Sequence, residues 1–263
     1  GRPSSLKGQY LKNSALQHRD NFKFSGAGYV QKWSFDESGL NYQASAVQTH
    51  GGKGLAERSV RPIDNFSNVC VEKIEGDLVA FGENAIPLKL EYSSLKTISN
   101  YGKDAVAAHG TFINGKYWTF RNKGWSIEFM NMSDHNSYVR TLDNSYYIHD
   151  VVNIGETMFV ALNACTYDVI GMISGFKSLI ESIHIDNTDC VKLQTFDTIT
   201  KHSKIISIPE IRGPVFHMQA VGRTIYLFEM SEDFQFANVN DHQFQSTVWK
   251  VRLDSTLEPC AVS

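Results

Sequence analysis

With 25 basic and 28 acidic side chains over 263 residues the chain has a formal charge of -3, so it offers nucleic acid no cationic face; its length can bury one large all-β core or two smaller ones. Cys70, Cys165, Cys190 and Cys260 stand far apart without a Cys-x-x-Cys pair, which excludes a zinc ribbon or a dense disulfide framework and favours a reducing compartment. No apolar run reaches the length of about 18 residues that a spanning helix needs, and the polar opening residues show no signal-peptide core.

Along the chain one plan recurs. "VCVEKIEGDLVAFGE" (69–83), "HGTFINGKYWTF" (109–120), "HDVVNIGETMFVAL" (149–162) and "HMQAVGRTIYLFEM" (217–230) each predict a short apolar strand, a tight turn and a second strand with apolar alternation. The turns carry Gly76, Gly115, Gly155 and Gly222. Asn114-Gly115 is the clearest hairpin signal, because both central residues of a type I′ turn need positive φ. The glycines lie 39, 40 and 67 residues apart, and a strand-built period near 40 predicts propeller blades. The wider last gap predicts an insertion or a further blade. Within it "CTYDVIGMISGFKSLI" (165–180) is apolar and broken by two glycines, which suits a buried connection between blades or a surface-seeking amphipathic segment equally.

His109 and His149 each stand six residues before their turn glycine, and His217 stands five before its own. First strands of successive blades line a propeller's channel, so side chains at one offset converge on the axis. A lone histidine is usually a structural one satisfied by a backbone carbonyl; recurrence at one offset predicts a three-imidazole metal site instead. Ligands about 2.1 Å from one ion would put the ring nitrogens roughly 3 to 4 Å apart. Asp150 is expected to anchor its turn by accepting backbone N–H groups rather than to act as an acid or base. His18, His50, His135, His184, His202 and His242 fall in polar stretches and are expected at the surface.

In order along the chain these segments resemble the carotenoid cleavage oxygenase family, retinal pigment epithelial membrane protein-like, as a partial or divergent member. "LKGQYLKNSAL" (6–16) is similar to that family's opening Gly-x-x-x-Arg-Asn strand, and "WSFDESGLNYQASAV" (33–47) to its Trp-Phe-Asp-Gly-Asp-Gly segment. "SNVCVEKIEGDLVAFGENAIPLKLEYSSLKTI" (67–98) resembles its stretch ending in Glu, Pro and Leu-x-Thr. "AAHGTFINGKYWTF", "YYIHDVVNIGETMF" and "VFHMQAVGRTIYLFEM" resemble the Ala-His-Pro, His-Asp-Phe and Phe-His-x-x-Asn-Ala-x-Glu blades, and "STVWKVRLDSTLEP" the strand that follows.

The resemblance implies a seven-bladed β-propeller, about four to five blades of which lie in residues 1–263 as a single domain incomplete at its C-terminus. It implies Fe(II) on four histidines and cleavage of a conjugated C=C bond of a carotenoid or apocarotenoid by O2. His109, His149 and His217 fall on the first three ligands. Glu83 falls where the family places a carboxylate beside a ligating imidazole; the alternative on the residues alone is a solvated loop glutamate after a strand. The segment holding Tyr167, Val169, Ile170, Met172, Ile173 and Phe176 falls where the family docks on a bilayer. Departures are present: Gly110 replaces the proline after the first histidine, Gln219-Ala220 replaces Asn-Ala, Glu37 and Ser38 replace glycines, and the chain stops at Ser263 before the family's fourth histidine. The expectation is therefore an iron dioxygenase at an intracellular membrane surface, in a plastid if the organism is photosynthetic. The alternative is an inactive homologue that binds carotenoid or serves as a subunit of a membrane complex.

Overall fold

The computed structural model describes residues 8–15, 28–36, 39–47, 69–174, 182–235 and 245–263. Strands dominate them, and no helix among them is long and apolar enough to cross a membrane. Backbone contacts divide the chain into two units, Gly1–Ala108 and His109–Ser263.

In the first unit β1 (Gly8–Ala15), β2 (Gly28–Asp36) and β3 (Gly39–Ala46) form an antiparallel sheet in that order. A four-stranded meander follows, of β4 (Cys70–Ile74), β5 (Asp77–Phe81), β6 (Leu88–Leu90) and β7 (Thr97–Asn100). Period-two alternation puts Val30 on the face of β2 that packs with Leu78, Ala80, Leu88 and Leu90. Polar neighbours on that face reach main chain: Asn13 Nδ2 donates to the Cys70 carbonyl at 3.1 Å and Lys32 Nζ to that of Tyr92 at 2.8 Å. On the opposite face Tyr10, Trp33 and Tyr42 are direct cross-strand partners, with ring centroids 5.5 and 5.2 Å apart.

The second unit starts with the meander β8 (Gly110–Ile113), β9 (Lys116–Asn122), β10 (Ser126–Asn131) and β11 (Asn136–Thr141). Next come β12 (Tyr146–Tyr147), β13 (Val151–Ile154), the long β14 (Thr157–Tyr167), helix α1 (Val169–Ile173), β15 (Ile183–Ile185), β16 (Val191–Asp197) and β17 (Ile205–Ile208). Here β13, β14, β16 and β17 make the expected four-stranded blade, while β12 and β15 pair with the far end of β14. The wide gap between Gly155 and Gly222 thus holds an insertion within one sheet, not a further blade. The last sheet runs β18 (Val215–Val221), β19 (Thr224–Met230), β20 (Ser246–Leu253) and β21 (Pro259–Val262).

All four anticipated turns are two-residue hairpin turns. Asn114 and Gly115 have φ of 51° and 77°, the sign pattern of type I′, whereas Gly155 (57°) and Gly222 (58°) sit at the first central position, as type II′ requires. The sheets built on β14 and β19 bury a shared core of Phe159, Leu193, Ile208, Ile225, Leu227 and Val251. At roughly 25 cal/mol per Å² of apolar surface removed from water, such side chains each contribute about 1.5–3 kcal/mol.

One buried charge in this unit makes stability depend on pH. Glu128 on β10 is 6% exposed and accepts from Arg121 Nε at 2.9 Å, Arg121 Nη2 at 2.6 Å and Lys123 Nζ at 2.8 Å. Burial pushes its carboxyl up, but hydrogen bonds from Lys123, Ser137 and Arg121 with the Arg121 charge outweigh that and hold it at about 2, against an ordinary 4.5. A depressed folded value stabilises above the unfolded one, and that stabilisation drains away as pH falls toward 2. Denaturant unfolding of Glu128→Gln is expected to show lower stability than the parent at pH 7 and a shallower loss between about pH 4.5 and 2. Parallel pH profiles for the two proteins would show that the carboxylate does not supply the term.

Candidate metal centre

Each of the three recurrent histidines enters through a different sheet of the second unit. His109 precedes β8, and its carbonyl accepts a hydrogen bond from Thr119 Oγ1 at 2.7 Å. The next residue must be small: a Cβ on Gly110 would lie 2.4 Å from the Tyr117 ring and 2.6 Å from the Trp118 carbonyl oxygen. That crowding accounts for glycine at the position where the resemblance leads one to expect proline. His149 precedes β13, with its Nδ1 3.2 Å from the Tyr147 hydroxyl. His217 sits within β18, where the pairing with β19 shifts register between Val215 and His217.

The strands then bring the rings together. One nitrogen from each of His109, His149 and His217 lies within 4.8 Å of the others. Ring centroids are 4.8 Å apart for His109 and His149, 4.9 Å for His149 and His217, and 5.6 Å for His109 and His217. The convergence is as expected, but the spacing exceeds the anticipated 3 to 4 Å. The rings meet edge to face at interplanar angles of 64°, 80° and 89°. His109 and His149 are half-buried and His217 is exposed.

Short polar links tie these strands to one another. Thr111 Oγ1 on β8 donates to Asn153 Oδ1 on β13 at 2.5 Å. Asp150 does what its position in the turn predicts, accepting from Val151 N at 2.7 Å, and it also reaches Met218 N on β18 at 3.0 Å. Its Oδ2 lies 3.7 Å from His217 Nδ1. Burial works against the charge of Asp150, yet the His217 and His109 imidazoles and the N–H groups of Met218 and Val151 hold its carboxyl below the usual carboxylate range. An apolar flank stands on one side: the Phe216 ring is 5.6 Å from Tyr147, 6.0 Å from His149 and 5.0 Å from Phe234.

Other anticipated residues lie elsewhere. Glu83 is half-buried in the turn after β5, in the first unit. Tyr167 ends β14 and packs partly against Cys165, Ile183 and Phe234. Val169 and Ile170 on α1 are exposed, Ile170 by 83%; Met172 and Ile173 belong to the same helix, and Phe176 lies outside the described residues. His135, His184 and His202 are exposed as expected, while His18, His50 and His242 lie outside the described residues. Sequence reasoning missed Tyr147, Phe216 and Asn163. The first two carry a usable signal, an aromatic one or two residues before a recurrent histidine; Asn163 carries only a polar residue within an apolar strand.

Three neutral imidazoles suit a borderline divalent ion such as Fe(II), and their neutrality leaves its charge to attract anionic ligands. A carboxylate beside one Nδ1 and a phenol beside another are the outer partners that orient ligating rings. The donor set therefore fits iron.

Comparison with known proteins gives the family and the fold. A family model described as "Retinal pigment epithelial membrane protein" matches residues 2–204. Among solved structures, cobalt-substituted Synechocystis ACO superposes with a TM-score of 0.76 at 19% identity, covering 99% of this chain and 66% of that one. A variant of Synechocystis apocarotenoid oxygenase (ACO) gives 0.75 at 17%, with 99% and 67% covered. An ACO/RPE65 chimera gives 0.77 at 19%, with 99% and 66% covered. At such identities the likeness establishes the fold, an all-β propeller of carotenoid-oxygenase type. The chain spans about two thirds of the length of these structures. A search of the curated proteins finds no match.

Proposed function

The chain belongs to the retinal pigment epithelial membrane protein family of carotenoid oxygenases, and from that premise we propose that it is a non-heme Fe(II) protein that cleaves a conjugated C=C bond of a carotenoid or apocarotenoid with O2. The convergence of His109, His149 and His217 within 4.8 Å carries this reading. These three side chains would hold the ion. Iron supplies the one-electron chemistry that lets O2 react with a closed-shell polyene. Asp150 and Tyr147 fix the rings of His217 and His149. Tyr147, Phe216 and Phe234 offer the apolar side on which a polyene lies away from water.

Exposed Val169 and Ile170 support a peripheral membrane contact for the segment with Tyr167, Met172, Ile173 and Phe176, from which a water-insoluble substrate is drawn. The wide spacing of the four cysteines, with no Cys-x-x-Cys pair, suits an intracellular, reducing location, a plastid membrane among them. A second reading, a carotenoid-binding or structural subunit, is favoured by the sheet face that bears His217: Val221, Phe228 and Val248 are 61%, 40% and 52% exposed on it, an apolar patch suited to a partner.

The test is aerobic incubation of the Fe(II)-loaded chain with carotenoids and apocarotenoids. Carbonyl fragments are expected, and they should vanish when iron is withheld. Carotenoid retention without cleavage would favour the carotenoid-binding subunit; neither retention nor cleavage would sink the oxygenase reading and leave the structural subunit.

A further inference from the structure

Two of the three candidate ligands share one buried anchor. Asn163 on β14 is 3% exposed, and its carboxamide makes three hydrogen bonds. Nδ2 donates to the Tyr147 carbonyl at 3.2 Å and to the Val215 carbonyl at 2.9 Å, while Oδ1 accepts from Val215 N at 2.8 Å. Tyr147 stands two residues before His149, and Val215 stands two residues before His217. At about 3.3 Å per extended residue, each anchored point lies only some 7 Å of chain from its imidazole.

We propose that Asn163 is a positioning residue of the metal centre, which locks the backbone leading into His149 to β18 and so sets the spacing of His149 and His217. This rests on the metal-binding reading above. The strands β14 and β18 belong to different sheets, so no ladder transmits register between them. A side-chain amide takes the ladder's place: it presents donor and acceptor in one plane, and it meets both main-chain groups of Val215 as a neighbouring strand would. Asp150 grips Met218 N on the far side of His217, so the His217 backbone is held both before and after the imidazole. All three bonds of Asn163 go to the segments bearing the ligands, and none closes a turn of its own. A carboxylate of the same shape keeps the bond from Val215 N but loses both donations and faces two carbonyl oxygens.

The experiment uses the full chain and titrates Co(II), read by its visible absorption, alongside thermal melting. Asn163→Asp is expected to weaken Co(II) binding about 10- to 100-fold and to change the absorption envelope, as loss of an outer partner does. Glu128→Gln, which removes a buried charge in a different sheet, should lower the melting temperature and leave Co(II) affinity as it was. Should Asn163→Asp fail to fold, Asn163→Ser, whose hydroxyl serves only one of the two carbonyls, is read in the same way. Parental Co(II) affinity and spectrum in the variant, with only the melting temperature reduced, would make Asn163 a plain core residue and overturn the proposal. If the unaltered chain gives no histidine-dependent Co(II) spectrum, the metal reading itself falls, a failure seen before any Asn163 variant is made.

Discussion

His149→Ala is expected to abolish metal binding at any concentration where the parent is saturated. Its ring is the shared neighbour of the cluster, 4.8 Å from His109 and 4.9 Å from His217, while the other two are 5.6 Å apart. Removing it leaves two imidazoles on the widest separation and deletes the nitrogen whose orientation Tyr147 fixes. Loss of an outer partner weakens a metal site about 10- to 100-fold, and loss of a ligand must exceed that. Metal content after equilibrium dialysis and Co(II) absorption measure it directly. His184→Ala, at an exposed histidine on β15, should bind as the parent does. Retention of one equivalent of metal by His149→Ala would place the ion elsewhere.

Among stability effects the largest is expected at Phe196. It is fully buried on β16 and stacks on Phe129 of β10 with centroids 4.6 Å apart and planes at 8°. Tyr138 and Trp118 lie at 5.5 and 6.0 Å, and the Arg140 guanidinium sits over its ring at 5.4 Å. These partners come from the β8–β11 sheet, so one ring joins two blades. Truncation in such a setting leaves a cavity that neighbouring aromatics cannot fill without breaking their own contacts. Phe196→Ala is expected to cost about 3–5 kcal/mol, or roughly 6–20 °C in melting temperature at about 2–4 °C per kcal/mol for a chain of this size. A loss below about 1 kcal/mol would mean that the two sheets repack freely.

Much of this architecture was written in short stretches. The Asn114-Gly115 pair determined its own turn, because a positive φ at both positions is a property of the two residues and not of what surrounds them. Gly155 and Gly222 punctuated their hairpins in the same local way, and the offset of five or six residues to His109, His149 and His217 carried the register of the site with them. The propeller class followed from that repeat. The insertion holding α1 and β15 was legible only as an irregular spacing, since an eleven-residue β14 pairs with four different strands and nothing in its apolar run says which.

What tertiary structure alone decided is which groups meet across sheets. Asp150 and Met218 are 68 residues apart, and Asn163 and Val215 are 52 apart; neither pairing leaves a trace in hydrophobic alternation, which reports which face is buried and not what lies opposite. Gly110 could be read in sequence as a lost proline, but only the Trp118 carbonyl beside it shows why no Cβ fits. The spacing of the imidazoles was likewise beyond reach of the offset rule. Local dihedral chemistry turns each hairpin, and the reach of Asn163 and Asp150 between sheets ties together the strands that carry the imidazoles.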